Sequence, residues 1–509
     1  MENKFFEEVQ HAFTRYVAEK AAIDQELLDN EEWFRNRCFD GGKDTDGGIH
    51  GAGGYVYNII ANKHADAMDN YPDPIFLPRA EDDLEAAEEL SAVMPVILAQ
   101  SEFYKTYSEG WWSKLKHGTA AYGAFWDGDN LCLREIDLLN LFWEPDIEDI
   151  QDSRFLFVTQ VLSREQMGVL YPQVSPSQYA APINLRCYEH RFDPNRVLVV
   201  DCYYKDHGVH LLKFCGDAIL YHSKEDKHLS KQGLYHHGKY PVVFDRLIAK
   251  RGTPQGVGYI ALSRGAQEYI DHLDSLLLKN ALVAGRQRWF IKDNGGVNEQ
   301  EFLNFENDLI HVAGSLEESH IRPFQAASLP SYVQYLRERK IEELKEICGN
   351  RDFQQGGTAQ GVTAYSAIVA LQEAGNKLSR DMIASSYESF RELMRLCVAL
   401  VVQFYDEERM FRVTGDAFMA FSNRSLLRGG KEVELDIEVR AQKQNPFSRE
   451  SQNQLMLELY KLGVFRPENA AAAKLLVAQM DFNGRDELLK TLSLQEQAYR
   501  NEEATPWQN

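Results

Sequence analysis

Residues 356–363 have the glycine spacing of a phosphate-binding loop but lack its lysine. Gly356 and Gly361 are separated as in G-x-x-x-x-G, and Thr363 stands where a magnesium-binding hydroxyl would be. Val362 occupies the lysine position, so the loop has no cation to reach the β- and γ-phosphates of a nucleotide. The pattern argues against nucleotide binding and leaves a polar, glycine-rich loop in front of a long helical segment.

Two other groups of residues could do chemistry. Asp436, Glu438 and Arg440 form D-x-E-x-R on one face of a predicted strand, an arrangement typical of a solvated face and, as an alternative, of a metal-dependent nuclease. Six histidines lie between His207 and His237, but their spacing matches no zinc-ligand pattern. The sequence therefore predicts no catalytic residue, no metal site and no cofactor.

The elements that would position such groups are helices around a β-rich region. Helical periodicity predicts helices over 2–39 and, in two or three pieces, over 55–115. Period-two alternation predicts antiparallel strands at 119–127, 131–145, 155–162, 186–192, 196–204, 209–215 and 241–249. Long helices follow at 258–285, 331–349 and 363–404, with a strand-like return at 431–441 and a helical end from about Ser448. The fold class predicted is α+β.

Composition limits the class of function. The 509 residues are 44% hydrophobic and include no apolar run long enough for a membrane span and no signal-peptide pattern, so we expect a cytoplasmic protein. The seven cysteines form no C-x-x-C pair and are expected to stay reduced. The formal charge of −22 argues against a protein that grips nucleic acid by its surface, but it is compatible with one past which DNA slides.

Several stretches from Tyr55 to the end of the chain resemble, in the same order, those of tailed-bacteriophage portal proteins. The stretches are 114-KLKHGTAAYGAFWDGD-129, 136-IDLLNLFWEPDIEDIQDSRF-155, 253-TPQGVGYI-260, 273-LDSLLLKNALVAGRQRWF-290, 361-GVTAYSAIVALQEAGNKLSR-380 and 445-NPFSRESQNQLMLELYKLGVFRPENA-470. Each stretch alone is modest, and their common order makes the resemblance specific.

The resemblance implies a portal-like architecture with an α/β wing, a two-helix stem, a clip, a tunnel loop and a crown. The implied parts are an N-terminal helical part of the wing (1–115), a β-rich wing (116–257), a first stem helix (258–285), a small β-containing clip (286–328), a second stem helix (329–350), a tunnel loop (351–362), a long helix with returning wing strands (363–441) and a helical crown (442–509).

The resemblance also implies the function and the partners. Portal proteins form a ring of about twelve identical chains at one capsid vertex, and heterologous interfaces between the chains close such a ring. Double-stranded DNA is pumped in through this channel by the terminase large subunit, which hydrolyses the ATP, and is later ejected through it. The other implied partners are the major capsid and scaffolding proteins and the head-completion adaptor or tail proteins, with assembly in the bacterial cytoplasm and no membrane.

The site residues implied by the resemblance lie in the tunnel loop and the clip. The loop residues expected to face DNA are Arg351, Gln354, Gln355, Gly356, Gly357, Thr358 and Gln360. Glycines give such a loop freedom, and its amides and hydroxyl offer weak, reorientable hydrogen bonds to phosphates. The clip cations expected to face the terminase or an adaptor are Arg286, Arg288 and Lys292.

Two alternatives to a portal stay open at this point. One is the metal-dependent phage nuclease built on Asp436 and Glu438. The other is a different ring-forming virion adaptor, a class that is usually shorter and lacks the order of stem, clip and stem. Whether the chain assembles into a ring, and whether it cleaves DNA with a divalent metal, separate the three classes.

Overall fold

A computed structural model describes most of the chain. The described residues are 2–38, 54–180, 195–285, 288–291, 300, 321–324, 330–349, 377–414, 417–428, 431–443, 458–465, 469–478, 488–489 and 491–493. They form two compact units, the larger of residues 1–67 and 72–440 and the smaller of residues 68–71 and 441–509.

Most of the described helices come before the first strands of the two larger sheets or after the last of them along the chain. They are α1 (Glu2–Cys38), α2 (Tyr55–Asp69), α3 (Leu84–Gln100), α4 (Phe103–His117), α5 (Arg164–Leu170), α6 (Leu229–Gln232), α7 (Tyr259–Gly285), α8 (Ser331–Ile347), α9 (Lys377–Phe404) and α10 (Ala470–Ala478). None of the helices in these ranges is long and apolar enough to cross a bilayer.

Eight of the sixteen described strands lie between α4 and α7. They are β1 (Asn70–Pro78), β2 (Thr119–Trp126), β3 (Leu131–Glu135), β4 (Leu141–Phe142), β5 (Phe155–Ser163), β6 (Arg196–Lys205), β7 (Val209–Cys215), β8 (Ala218–His222), β9 (Val242–Arg246), β10 (Arg288–Ile291), β11 (Ile321–Phe324), β12 (Arg409–Thr414), β13 (Ala417–Phe421), β14 (Leu427–Arg428), β15 (Lys431–Glu432) and β16 (Leu435–Lys443).

The largest sheet is antiparallel with strand order β4-β5-β6-β7-β8. Alternate residues of β6 pack on opposite faces, because Tyr203 belongs to one apolar cluster while Cys202 and Tyr204 belong to another. The eight central residues of β6 are therefore all buried, which explains its nearly continuous apolar run.

Helix α1 covers one face of this sheet with aromatic side chains. The Phe13 ring centroid lies 5.6 Å from that of Phe142, 5.2 Å from that of Phe157 and 6.2 Å from that of Phe214, in edge-on arrangements that aromatic rings favour. Lys20, which is buried, binds the backbone oxygen of Leu138 at 2.5 Å. These contacts fix α1 along the sheet.

A second sheet has the strand order β3-β2-β9, and its central strand β2 follows directly after helix α4. Gly118 ends α4 with φ +90°, and a β-carbon there would lie 2.5 Å from the backbone oxygen of Gly256. The backbone N–H of Gly256 donates to the Thr119 hydroxyl at 2.7 Å. Two of the portal-like stretches, 114–129 and 253–260, thus pack backbone against backbone, where any side chain at Gly118 would clash.

Several element predictions need correction. Residues 71–78, which the prolines predict to be a break between helices, form most of strand β1, which pairs with β16. Strands β8, β12, β13 and β14 are also outside the predicted set. The predicted strand at 186–192 lies outside the described residues, as do 363–376 of the predicted long helix. The mixed helix and sheet content agrees with α+β.

The smaller unit has an apolar cluster of its own. Ala473, Val477 and Leu492 are buried in it, and partly buried side chains of 464, 465, 488 and 489 pack around them. Helix α10 supplies the alanine and valine at a spacing of four residues, which places both on one helix face.

Candidate functional site

The end of α8 and the start of α9 meet at one buried lysine of α2. The Lys63 ammonium donates to the backbone oxygen of Gly349 at 3.1 Å and to the Ser379 hydroxyl at 2.7 Å. The Ser379 hydroxyl in turn donates to an Asp66 carboxylate oxygen at 2.9 Å. We call Lys63, Asp66, Gly349 and Ser379 the clasp, because they hold residue 349 and residue 379 to the same helix.

Helix periodicity places Lys63 inside the protein. It lies on the stripe of α2 that also contains buried Val56, Ile59, Ile60 and Ala67. Burial lowers the pKa of Lys63, and the nearby Asp66 carboxylate opposes that shift. A buried ammonium is tolerated when its hydrogen bonds are satisfied, and here a carbonyl and a hydroxyl accept from it.

The backbone at Gly349 lets the chain turn out of α8 beside α9. Gly349 has φ +58°, the left-handed conformation that glycine favours just after a helix. A β-carbon at this position would lie 2.4 Å from the Leu378 Cδ1, so the two residues are in close contact. The neighbouring Cys348 thiol is buried, which raises its pKa to about 12, an effect that Lys63 partly offsets. Cys348 is therefore expected to stay protonated.

Helices α7 and α8 form a pair next to the clasp. Arg337 of α8 makes a two-pronged ion pair with Asp274 of α7, and its second nitrogen also donates to the Tyr55 hydroxyl at 3.3 Å. The Asp274 hydrogen bond raises the pKa of Arg337. The Lys340 ammonium lies 5.3 Å from the centre of the Tyr269 ring. Bidentate arginine–carboxylate geometry fixes the register of the two helices.

A second buried charge pair holds α9 to the small sheet. Lys114 of α4 binds Asp245 of β9 at 2.8 Å, and the Ser386 hydroxyl of α9 donates to the other oxygen of Asp245 at 2.5 Å. Burial lowers the pKa of Lys114, which Asp245 opposes. Removing one member of such a pair would leave an uncompensated buried charge, so the contact ties α9 firmly to the small sheet.

The predicted tunnel-loop and clip residues are mostly outside the described part of the chain. Residues 351, 354–358 and 360 lie in 350–376, and Arg286 and Lys292 lie in two further such stretches. Arg288 opens β10, where its Cα pairs with that of Phe324 in β11. The clasp was not predicted from sequence, although a lysine on the apolar stripe of an amphipathic helix is a signal that could have found it.

The other groups that the sequence singles out make ordinary contacts. Asp436 binds the Arg79 guanidinium at 2.8 Å and Glu434 binds it at 2.7 Å, so the strand-face carboxylate of the nuclease hypothesis is engaged in an ion pair. His210 contacts the Ser223 hydroxyl and His222 contacts the Tyr204 hydroxyl. The residues that the structure describes bring together no group of three or more histidine, cysteine or carboxylate side chains suited to a metal.

Comparison with known families identifies the class. The family model described as "Phage P22-like portal protein" matches residues 205–509, which is more than half of the chain. The chain therefore belongs to the P22-like portal protein family. No curated protein matches it at a significant level. The match includes α7, α8, the clasp residues Gly349 and Ser379, and α9, whereas Lys63 and Asp66 precede it.

Membership of this family has direct consequences for what the site does. Portal proteins are structural rather than catalytic components of the phage capsid, and they assemble as rings of identical chains. The ion pairs described above are accordingly interpreted as positioning contacts between helices.

Proposed function

We propose that this chain forms the ring at the unique vertex of a phage capsid. Through its channel double-stranded DNA is packaged by the terminase and later ejected, and head-completion and tail proteins dock on its outer end. The family match supports this proposal for the protein as a whole. The described geometry supports it for the part of the chain that would line the channel.

The observation that carries the proposal is the linked placement of α7, α8 and α9. Arg337 and Asp274 join α7 to α8, and Lys63 joins the end of α8 to the start of α9. A chain held at residues 349 and 379 presents residues 350–376 from fixed points. Such anchoring suits a segment that contacts a moving DNA duplex without being displaced along with it.

The first test is the mass and symmetry of the purified protein. Light scattering and negative-stain class averages are expected to show a ring of about twelve subunits around a central hole, since identical chains with heterologous contacts close into rings. A chain that stayed monomeric at high concentration and in the presence of its scaffolding protein would overturn the proposal.

We place the DNA contact at the tunnel-loop residues of the sequence analysis. Gln354, Gln355 and Gln360 are neutral, so they can touch phosphates without holding them. Changing all three to lysine is expected to slow packaging by a defined terminase while rings still form, because each added cation strengthens the grip on the duplex. The matched control changes the same three residues to asparagine. Equal packaging rates for both variants would mean that the loop does not contact the DNA.

We assign Arg286, Arg288 and Lys292 to the contact with the terminase or an adaptor. Reversing these three charges to glutamate is expected to weaken terminase docking at least tenfold without changing ring mass. Docking is measured by surface-immobilised rings titrated with terminase. Unchanged docking would mean that these cations make ordinary contacts within the clip and do not bind the terminase.

A further inference from the structure

A cavity lies where the connection between α3 and α4 meets the β2–β3 turn and the residue that follows α9. Its volume is about 530 Å³, which is within the range of small-ligand sites. The buried side chains of Ile97, Leu131 and Tyr405 line it, and so do the exposed carboxylates of Glu102 and Asp127. The cavity therefore combines an apolar lining with two acidic groups, as a ligand with an apolar stem and a positive charge requires.

The Asp127 carboxylate is fixed by the backbone of its own turn. The backbone N–H groups of Asn130 and Asp129 donate to its Oδ1 at 2.7 Å and 2.9 Å. These hydrogen bonds lower the pKa of Asp127, so the carboxylate is ionised at neutral pH. Arg409 holds the turn in turn, donating to the backbone oxygen of Asp129 at 2.7 Å and to Asn130 Oδ1 at 3.1 Å. The negative charge at the cavity is thus held in one place.

Within the described ranges, neither acidic group of the cavity forms an ion pair with a lysine or an arginine. Arg409 is the cation that binds the same turn, and its guanidinium lies 4.4 Å from the centre of the Tyr405 ring. Its hydrogen bonds go to the amide and carbonyl oxygens of the turn. The carboxylates of Glu102 and Asp127 are therefore available to a cation from another molecule.

The lining favours an ammonium on an alkyl stem over a guanidinium. An arginine side chain binds best where it stacks on an aromatic ring and makes a two-pronged contact. Arg409 already lies over the aromatic ring of this cavity, and the other buried lining residues, Ile97 and Leu131, are aliphatic. A lysine side chain packs its stem on such residues while its ammonium reaches a carboxylate.

We infer that this cavity binds a lysine side chain of a partner protein. The stem packs on Ile97 and Leu131, and the ammonium binds the carboxylates of Glu102 and Asp127. A side chain seated in a pocket supplies much of the affinity of a protein contact. The formal charge of −22 also attracts a basic partner. The inference goes beyond the proposed function and does not require the ring, because all of these residues belong to one chain.

The Cys132 thiol allows the charge of the cavity to be measured. Cys132 lines the cavity and is half-buried, whereas the other cysteines that the structure describes are buried. The full chain is treated with aminoethyl methanethiosulfonate or with its sulfonatoethyl analogue, and mass spectrometry of the Cys132 peptide gives each rate. Normalised to glutathione, the ammonium reagent is expected to react at least about tenfold faster, because the carboxylates repel the sulfonate. Equal normalised rates would overturn the site.

Substitutions test whether the two carboxylates cause this preference. Glu102→Gln together with Asp127→Asn is expected to bring the rate ratio below about two, since no negative side chain of the site then remains. Glu102→Gln alone leaves the hydrogen bonds of the turn intact and is expected to lower the ratio at least about twofold. The matched control is Glu88→Gln, an exposed residue of α3 outside the cavity, which is expected to leave the ratio unchanged. A ratio that the cavity variants do not lower would overturn the role of the carboxylates.

Protection of Cys132 from N-ethylmaleimide tests the ligand itself. The peptide acetyl-Ala-Lys-Ala-amide at about 10 mM is expected to slow labelling at least about threefold, a concentration suited to the weak affinity of so small a ligand. The same peptide with norleucine in place of lysine is expected to have no effect. Equal protection by norleucine or by arginine would overturn the lysine assignment. Protection by spermidine without protection by the lysine peptide would identify a free polyamine and overturn the partner protein.

Ring assembly of the same samples separates this inference from the proposed function. Rings that form normally without protection of Cys132 by the lysine peptide would overturn the lysine site and leave the proposed function intact. A chain that is protected but forms no ring would overturn the proposed function and leave the lysine site intact.

Discussion

At the scale of single residues, Lys63 links three helices through one ammonium. Its two hydrogen bonds join Gly349 and Ser379, which are thirty positions apart in the sequence. The group is buried and its pKa is lowered by desolvation, and the two hydrogen bonds offset part of that cost. Substitutions at this residue therefore report on the clasp.

Lys63→Met is expected to lower the free energy of unfolding by about 1–3 kcal/mol, because Gly349 and Ser379 each lose a buried hydrogen-bond donor. Chemical denaturation of the full chain measures the change. Lys105→Met is the control, since the Lys105 side chain is 70% exposed, and its effect is expected to stay within about 0.5 kcal/mol. Equal effects of the two substitutions would mean that the clasp does not stabilise the fold.

The Glu31 carboxylate on α1 makes the free energy of unfolding depend on pH. Burial favours the protonated form of Glu31, but hydrogen bonds and charges from His117 and Lys116 outweigh it and lower the pKa of Glu31 to about 2. A depressed pKa contributes stability above the unfolded value of about 4.5, and that stability is lost as the pH falls towards 2.

Glu31→Gln is therefore expected to be less stable than the wild type by about 1–2 kcal/mol near pH 7, a figure reduced for the partial exposure of the group. The difference is expected to shrink between pH 4.5 and pH 2. Urea titrations of both proteins across that range measure it. A difference that stayed constant with pH would mean that the ionised carboxylate is not the stabilising form.

At the scale of elements, the α7–α8 pair depends on the ion pair between Asp274 and Arg337. A double-mutant cycle with Asp274→Asn and Arg337→Met is expected to give a coupling free energy of about 1–2 kcal/mol, because the pair is only partly exposed and is bidentate. Arg337→Lys is expected to recover less than half of it, since an ammonium cannot form the two-pronged contact. A coupling near zero would show that apolar packing alone holds the two helices.

These helices are also where sequence and structure agree best. The pattern predicts a helix over 258–285 and α7 spans Tyr259–Gly285, while the helix predicted at 331–349 is α8, Ser331–Ile347. Long segments with one strong period leave little choice of secondary structure. The strands β5, β6 and β7 are likewise predicted within a few residues, because apolar runs bounded by turns are typical of buried strands.

Local signals are weaker where tertiary contacts decide the outcome. Prolines at 72, 74 and 78 predict a break, yet β1 forms because a proline is tolerated in a strand with an open side, here in a sheet of only two strands. The pairing within the clasp cannot be predicted from sequence, since Lys63, Gly349 and Ser379 come from three separate segments. Only the position of a lysine on an apolar stripe marks it.

At the scale of the whole molecule, the charge of −22 predicts weak affinity for DNA. Rings are expected to bind a short duplex with a Kd weaker than about 10⁻⁴ M at physiological salt, because non-specific affinity comes from cations that neutralise phosphates. Fluorescence anisotropy over a range of salt concentrations measures both the affinity and its salt dependence. Tight binding with a steep salt dependence would instead reveal a basic surface that outweighs the net charge.

The docking of α1 on the large sheet has a consequence for synthesis. Gln10 binds the backbone of Gly216, a separation of 206 residues, and Phe13 packs on Phe214. At about 5–20 residues per second a ribosome completes that part of the sheet about 10–40 s after it has made α1. During this interval the aromatic face of each nascent α1 lacks its final partner, so chaperones that hold apolar segments are expected to be the first proteins that this chain meets.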